Sequence, residues 1–214
     1  MQTKIGVLEK YAWGAPFAAA VLTTYTLIGK AVAGRTEFDF FTPLDDLVPY
    51  WPWTVWCYTP FYVIIFNLIA LAIPHRDAFF RTLRAIGYAF VICCVSFVAL
   101  PSTYPIPAIP VSTHPWSAEL LAFIRSIDVP NNTFPSSHVA LSFACALGVF
   151  HDNKRWGVVA LVLAACLAVS IVTTKHHYVV DAIAGLAVGY AAYWFAFRTA
   201  HNGRDRAVET SGSP

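Results

Sequence analysis

Long apolar stretches separated by short polar ones run along most of this chain. A helix that crosses a bilayer needs roughly 20 predominantly apolar residues, and the stretches here approach or exceed that length. They cover residues 11–33, 52–74, 79–101, 136–151, 156–174 and 178–198. Since lipid leaves no partner for exposed backbone groups, such stretches are expected to be helical. The pattern therefore predicts an all-α, polytopic membrane protein, built as a bundle of six transmembrane helices.

The segment 102–134, between the third and fourth apolar stretches, carries a different pattern. Its apolar residues recur at helical spacing over only about three turns, which is typical of a helix lying in the membrane interface. These residues are Trp116, Leu120, Phe123, Ile124 and Ile127. We expect residues 1–200 to form a single membrane domain. The polar stretch 201–214 is predicted to be a disordered tail.

Composition agrees with a membrane protein and excludes other classes. Of the 214 residues, 57% are hydrophobic and only 12% are charged, whereas soluble domains carry about 25% charged residues. The formal net charge of +2 is small and dispersed, which argues against a nucleic-acid partner. The five cysteines lie inside apolar stretches without the spacing of zinc ligands. The sequence accordingly predicts no metal and no cofactor, and it makes no prediction of oligomeric state.

Basic residues are concentrated at one end of the predicted bundle. Six crossings place both termini at the same end, and cytoplasmic loops carry an excess of Lys and Arg. The basic residues expected at that end are Lys4, Lys10, Arg76, Arg81, Arg84, Lys154, Arg155, Arg198, Arg204 and Arg206. We therefore expect cytoplasmic termini, and the short polar tails favour a bacterial inner membrane. The opposite end then faces the periplasm.

Two serines and a histidine open the fourth apolar stretch, in the sequence FPSSH. Pro135 suits the first position of a helix, which would place Ser136, Ser137 and His138 in the first turn. Free backbone N–H groups and the helix dipole make such an end an anion site. The alternative is that these polar residues only cap the helix.

A histidine and an aspartate open the sixth apolar stretch. His177 and Asp181 are four residues apart and would share one helix face. The carboxylate can then bind one ring nitrogen of His177 and leave the other free to react, as in triad chemistry. A purely structural hydrogen-bonded pair is the alternative. Because this pair and FPSSH are expected at the same end of the bundle, one shared anion pocket is predicted.

These two motifs together resemble a known family. FPSSH followed by Ser170, six residues and HYVVD is similar to the second and third signatures of the type 2 phosphatidic acid phosphatase superfamily. Those signatures are commonly written PSGH and SR-x5-H-x3-D. The forms NTFPSSH and KHHYVVDAIAG look closer to the branch that contains inositol phosphorylceramide synthases and related bacterial membrane proteins.

The resemblance implies a role for each matching residue. His177 matches the histidine that attacks phosphorus and forms a phosphohistidine, and Asp181 matches the residue that orients it. His138 matches the acid that protonates the departing alkoxide, so the chemistry needs no metal. The positions that match the phosphate-binding residues of the family are Ser136, Ser137 and Ser170.

The chain departs from the family pattern in its cations. Ile171 stands where the third signature has arginine, and residues 100–110 hold no cation of the first signature. A bidentate phosphate partner is thereby lost. We hypothesise that Lys175 and Arg125 supply positive charge instead, although a solvated surface role is the alternative for Arg125.

The pattern and the resemblance together predict an enzyme acting on a lipid phosphate in the bilayer. Hydrolysis of a lipid phosphate or pyrophosphate at the outer membrane face is the leading expectation. Transfer of a phospho-headgroup to a lipid alcohol is the alternative within the same chemistry. A non-catalytic transporter or scaffold is the alternative of another class.

Overall fold

Helices that run in alternating directions build almost the whole molecule. The computed structural model describes residues 3–104, 106–128 and 130–198. The α-helices in this part of the chain are α1 (Val7–Val32), α2 (Pro43–Leu47), α3 (Thr59–Ala72), α4 (Arg76–Ala99), α5 (Pro115–Ile127), α6 (Ser137–Asp152), α7 (Lys154–Thr173) and α8 (Val179–Arg198). A 3₁₀ segment, Pro52–Cys57, precedes α3. The two-residue strands β1 (Phe38–Asp39) and β2 (Ser102–Thr103) pair in parallel.

The six predicted apolar stretches correspond to α1, the 3₁₀ segment with α3, α4, α6, α7 and α8. All of these except α6 are long and apolar enough to cross a membrane. Helix α6 has 16 residues, which span about 24 Å against a hydrocarbon core of about 30 Å. The prediction of an all-α polytopic membrane protein is confirmed.

Helix α6 lies at the centre of the bundle. It packs against α3, α4, α7 and α8, and ten of its residues are buried. The helices around it present large apolar side chains outward, including Leu22, Val91, Val162 and Ile183. An apolar outer surface of this extent is what a lipid environment requires. The molecule is therefore an integral multi-pass membrane protein with α6 in its core.

The end of the bundle opposite the first and last described residues, called the distal end below, carries the loops that build the site. Strands β1 and β2 join the segment after α1 to the segment after α4. The helix predicted in 102–134 is α5, and it packs against the 3₁₀ segment. Its place in a membrane interface stays a prediction. The predicted disordered tail, 201–214, lies outside the described residues.

Candidate active site

The turn between α7 and α8 is a Schellman motif at the distal end. The N–H of His176 donates to the Ile171 carbonyl at 3.0 Å, and the N–H of Lys175 donates to the Val172 carbonyl at 3.1 Å. Such motifs usually place glycine in the left-handed conformation. Here Lys175 adopts it, with φ of 57°. A side chain in this conformation costs free energy, which makes a lysine at this position unusual.

His177 and Asp181 form a hydrogen-bonded pair just after this turn. Nδ1 of His177 lies 3.2 Å from Oδ2 of Asp181, and both side chains are buried. The same Oδ2 accepts the N–H of Tyr178 at 3.0 Å. Because α8 begins at Val179, His177 precedes the helix. The contact arises from a carboxylate folding back over the helix start, as in a capping box, and not from a shared helix face as the spacing predicted.

The FPSSH motif forms the start of α6, with one difference from the expected register. Ser136 is the N-cap residue, and its hydroxyl accepts the N–H of Val139 at 3.4 Å. Pro135 therefore precedes the cap and is not the first helical residue. Ser137 and His138 do lie in the first turn, where backbone N–H groups have no acceptor within the helix.

Ser136 joins the two motifs. Its backbone N–H donates to the Asp181 carbonyl at 3.0 Å, and its hydroxyl lies 3.4 Å from Nε2 of His177. Close packing of α8 on α6 makes this possible. A Cβ on Gly185 would lie 2.6 Å from the Ser136 carbonyl oxygen, and one on Gly189 would lie 2.5 Å from that of Ala140. The two glycines therefore set the separation of the motifs.

His138 faces His177 across this junction. Their ring centroids are 6.2 Å apart with the ring planes at 67°, so the two imidazoles are near neighbours. The hydroxyl of Tyr58, a buried residue before α3, lies 3.2 Å from Nε2 and 3.3 Å from Nδ1 of His138. The ring of Tyr62 contacts His138 with centroids 5.2 Å apart. The structure thus brings together His138, His177, Asp181, Ser136 and Ser137.

Two cavities approach the histidine pair from different sides. The first, called the distal pocket, has a volume of about 290 Å³ and includes Asp46, Tyr104, Lys175 and His177 in its lining. The second, called the apolar groove, has a volume of about 580 Å³ and runs between α1, α3 and α4 up to His138. His177 therefore borders a pocket that carries the charged residues Asp46 and Lys175, and His138 borders the apolar groove.

The remaining predicted phosphate-binding residues are tied to carbonyl groups. Ser170 donates to the Thr54 carbonyl at 2.5 Å, which fastens α7 to the 3₁₀ segment. Arg125 donates to the carbonyls of Pro107 at 2.8 Å and Thr174 at 3.2 Å. These bonds do not reach the histidine pair, so the roles of Ser170 and Arg125 in binding phosphate stay predictions.

Lys175 lies closer to the histidine pair than Ser170 and Arg125 do. Its Nζ donates to the carbonyls of Asp45 at 2.9 Å and Val48 at 2.8 Å, and the residue lines the distal pocket together with His177. An ammonium group has three donors, so one remains for a ligand after these two bonds. Its role as a phosphate partner also stays a prediction.

The residues near the pair that were not identified from the sequence are Tyr58, Tyr62, Tyr104 and His176. Tyr58 contacts His138, and its ring also lies 5.2 Å from that of His176. Tyr104 stacks beside His177 with centroids 6.4 Å apart. Tyrosines are common in apolar stretches, and nothing in their spacing marks these two. Burial lowers the pKa of His176 to about 3, so this third histidine is neutral where it packs between the two tyrosines.

Two comparisons show which known proteins this chain is similar to. A model of the PAP2 superfamily matches residues 51–195, which include both motifs and Tyr58. A curated relative, the bacitracin transport permease protein BcrC of Bacillus licheniformis, is 36% identical over 70 residues. That alignment covers 33% of this chain and 34% of the relative. The chain therefore spans about a third of the length of the curated relative it matches.

Proposed function

The chain belongs to the PAP2 superfamily, and on that premise we propose that it hydrolyses a lipid phosphate or pyrophosphate through a phosphohistidine on the outer face of the membrane. The observation that carries this proposal is the geometry of two facing histidines, the half-buried His138 and the buried His177, the second of which is hydrogen-bonded to the buried carboxylate of Asp181. Nucleophile, orienting carboxylate and acid are the parts that covalent phosphoryl transfer needs.

His177 is the nucleophile in this proposal. Asp181 accepts the proton on Nδ1, which leaves the lone pair on Nε2 directed at phosphorus. As the bond from phosphorus to Nε2 forms, the bond to the lipid oxygen breaks and His138 donates a proton to that oxygen. Water then attacks the phosphohistidine, His138 takes a proton from it, and inorganic phosphate leaves. Tyr58 positions the His138 ring through its hydroxyl.

Hydrogen-bond donors at the start of α6 mainly stabilise the negative charge of the phosphate. The backbone N–H groups of Ser137 and His138 point out of the first turn, and the hydroxyls of Ser136 and Ser137 add to them. At the start of α8, by contrast, Asp181 and Asp45 already occupy backbone donors. The phosphate therefore binds at α6, with Lys175 supplying positive charge from the distal pocket.

The outer face follows from the distribution of basic residues. The site lies at the distal end, opposite the end where most Lys and Arg residues are found. The positive-inside rule then puts the site on the periplasmic side of a bacterial inner membrane. A cysteine placed at His114 should react with an impermeant thiol reagent in intact cells. If this cysteine is labelled only after the cells are permeabilised, the site faces the cytoplasm and the proposed orientation is wrong.

Transfer to a lipid alcohol is a second candidate, and one observation favours it. His138 borders the apolar groove, so an alcohol of a second lipid can approach the phosphohistidine from the same side as the departing one. A transport function is a candidate of another class, because the relative from Bacillus licheniformis is named a transport permease.

One experiment separates these candidates. Purified protein and a matched His177→Ala variant are incubated with phosphatidic acid, lysophosphatidic acid, undecaprenyl pyrophosphate, or phosphatidylinositol with ceramide. Release of inorganic phosphate that the variant lacks supports hydrolysis. New phospholipid without phosphate release supports transfer. If neither product forms and vanadate does not bind, the catalytic proposal is wrong, because a phosphohistidine site should bind this transition-state mimic tightly.

A further inference from the structure

The apolar groove begins at the catalytic histidine and ends near the other side of the bundle. Its distal part is lined by Tyr25, Tyr58 and His138, and its far end by Lys10 and Tyr11. Between these ends the lining is almost entirely apolar, with phenylalanines on α3 and α4 facing small residues on α1. The groove is therefore continuous with the site and suits a hydrocarbon chain.

The groove is deeper than one leaflet of a bilayer. Residues of α1 from Lys10 to Thr26 line it, which corresponds to about 24 Å at the rise of an α-helix. One leaflet contributes about 15 Å of hydrocarbon, half of a core about 30 Å thick. A chain that fills the groove from His138 inward thus reaches past the middle of the membrane.

Small residues on α1 keep the groove open. A Cβ on Gly14 would meet no atom within 4 Å, in contrast to Gly185 and Gly189, where it would clash with backbone atoms. Gly14 therefore does not serve close helix packing. Ala18 lies one turn further along the same lining, and its small side chain likewise leaves space.

Lys10 closes the far end. It is buried, and its Nζ donates to the Ala70 carbonyl at 2.8 Å. A lysine with an aliphatic stem and an amine fixed to a backbone carbonyl forms a polar boundary to the apolar lining. The space therefore has a defined depth.

We propose that the apolar groove holds the hydrocarbon chain of the substrate, and that its depth favours a lipid whose chain is longer than one leaflet. This inference rests on the proposed function, since it places the phosphate between His138 and His177. It names the occupant as a single long chain running along α1, with its far end beside Lys10.

Two substitutions on α1 test the depth. Gly14→Phe fills the far half of the groove, and Ala18→Phe fills it nearer to His138. Ala19→Phe is the matched control, because Ala19 is exposed on the same helix and does not line the groove. The probes are farnesyl pyrophosphate, with a short chain, and undecaprenyl pyrophosphate, with a long one. The measured quantity is KM for phosphate release.

Gly14→Phe should raise the KM for the long-chain probe about tenfold more than that for the short-chain probe, because the ring displaces several methylene groups from an apolar site. Ala18→Phe should raise both. Ala19→Phe should leave both at the wild-type value. Equal KM changes for the two probes in Gly14→Phe would overturn the proposal.

A binding measurement keeps this test separate from the proposed function. In His177→Ala protein, which lacks the nucleophile, each probe should raise the melting temperature by binding the folded state. The long-chain probe should give the larger rise, and Gly14→Phe should remove the difference while Ala19→Phe keeps it. No difference between the probes would refute the chain site even if phosphate release occurs. A change in oligomeric state caused by Gly14→Phe would show that a second copy, and not a lipid, occupies the groove.

Discussion

Gly185 of α8 lies directly against the backbone of Ser136 at the start of α6. A Cβ at Gly185 would come within 2.6 Å of the Ser136 carbonyl oxygen, which is shorter than any normal van der Waals contact. Ser136 in turn contacts His177 through its hydroxyl and Asp181 through its backbone N–H. The absence of a side chain at residue 185 thus fixes the distance between the two halves of the site.

Gly185→Ala should therefore impair catalysis and stability together. The new methyl group must push α8 away from α6, and overpacking of this kind costs about 1–3 kcal/mol. The same shift moves His177 relative to His138, and small displacements of reacting groups reduce rates strongly. We expect kcat to fall at least tenfold, measured with the substrate that the lipid panel identifies.

Gly87→Ala is the control for this change. A Cβ there would lie 3.8 Å from the ring of Phe17, an ordinary contact, so α4 accommodates it. The melting temperature and kcat of Gly87→Ala should match those of the wild type. Equal behaviour of the two alanine variants would show that α8 adjusts freely and that Gly185 does not set the geometry.

Asp181→Asn should abolish most of the activity while the fold persists. The amide keeps the size of the side chain, yet it cannot stabilise the positive charge that develops on His177 during attack. The equivalent change in serine proteases lowers kcat about 10⁴-fold, and we expect a loss of roughly 10²–10⁴-fold here. The measurement is kcat under saturating substrate.

Asp45→Asn is the matched variant. Asp45 also binds the start of α8, since its Oδ1 accepts the N–H of Val179 at 2.8 Å, but it does not contact His177. Asn keeps one acceptor oxygen for this N–H, so the free energy of unfolding should fall by less than the roughly 1 kcal/mol of a lost cap, with a much smaller change in kcat than in Asp181→Asn. A comparable kcat in both variants would argue against the orienting role of Asp181.

Tyr58→Phe should slow the reaction by removing the hydroxyl beside His138. One hydrogen bond contributes about 1 kcal/mol, so we expect kcat to fall about fivefold. The pH profile of kcat should also shift, because the hydroxyl interacts with the proton that His138 donates. Tyr62→Phe is the control, since Tyr62 meets His138 through its ring and the substitution keeps that ring. A positioning role for Tyr58 is excluded if both variants retain the wild-type pH profile.

The bundle and the approach of the two histidines were predictable because each rests on a strong local signal. Apolar stretches of membrane length mark the crossing helices within a few residues, as the match between 79–101 and α4 shows. The approach of His138 to His177 followed from counting crossings, which put both motifs at one end. The four-residue spacing of Gly185 and Gly189 in the sequence is also typical of close helix packing.

Contacts between distant segments could not be read from the sequence. Asp45 resembles a surface acid in an acidic loop, yet it is buried because its carboxylate caps a helix 134 residues further along the chain. Tyr58 lies in an apolar stretch where a tyrosine carries no periodic signal, and its partner is 80 residues away. Such pairings depend on how the loops fold over the bundle.

Two substitutions of Lys175 test whether its ammonium group replaces the cations that the family signatures have and this chain lacks. Lys175→Gly should relieve the cost of a left-handed residue, about 1 kcal/mol, but remove the ammonium group. If that group binds phosphate, KM should rise about tenfold. Lys175→Gln keeps a hydrogen-bond donor without charge and should raise KM similarly. An unchanged KM in both variants, with a lower melting temperature, would assign Lys175 only to holding the loop at Asp45 and Val48.

The burial of His176 should make the free energy of unfolding depend on pH. Burial lowers its pKa from the ordinary value of 6.5 to about 3, and its Nε2 has no hydrogen-bond partner among the described residues. Between these two values the unfolded chain binds a proton that the folded protein does not, so the free energy of unfolding is greatest above pH 6.5 and decreases as the pH falls toward 3. His176→Gln removes the titrating group. Its melting temperature should therefore decrease less than that of the wild type between about pH 7 and pH 5.

His114→Gln makes the same substitution at an exposed histidine and is the control, so its melting temperature should follow that of the wild type. Parallel curves for wild type and His176→Gln would mean that His176 is not the group that makes the fold acid-sensitive.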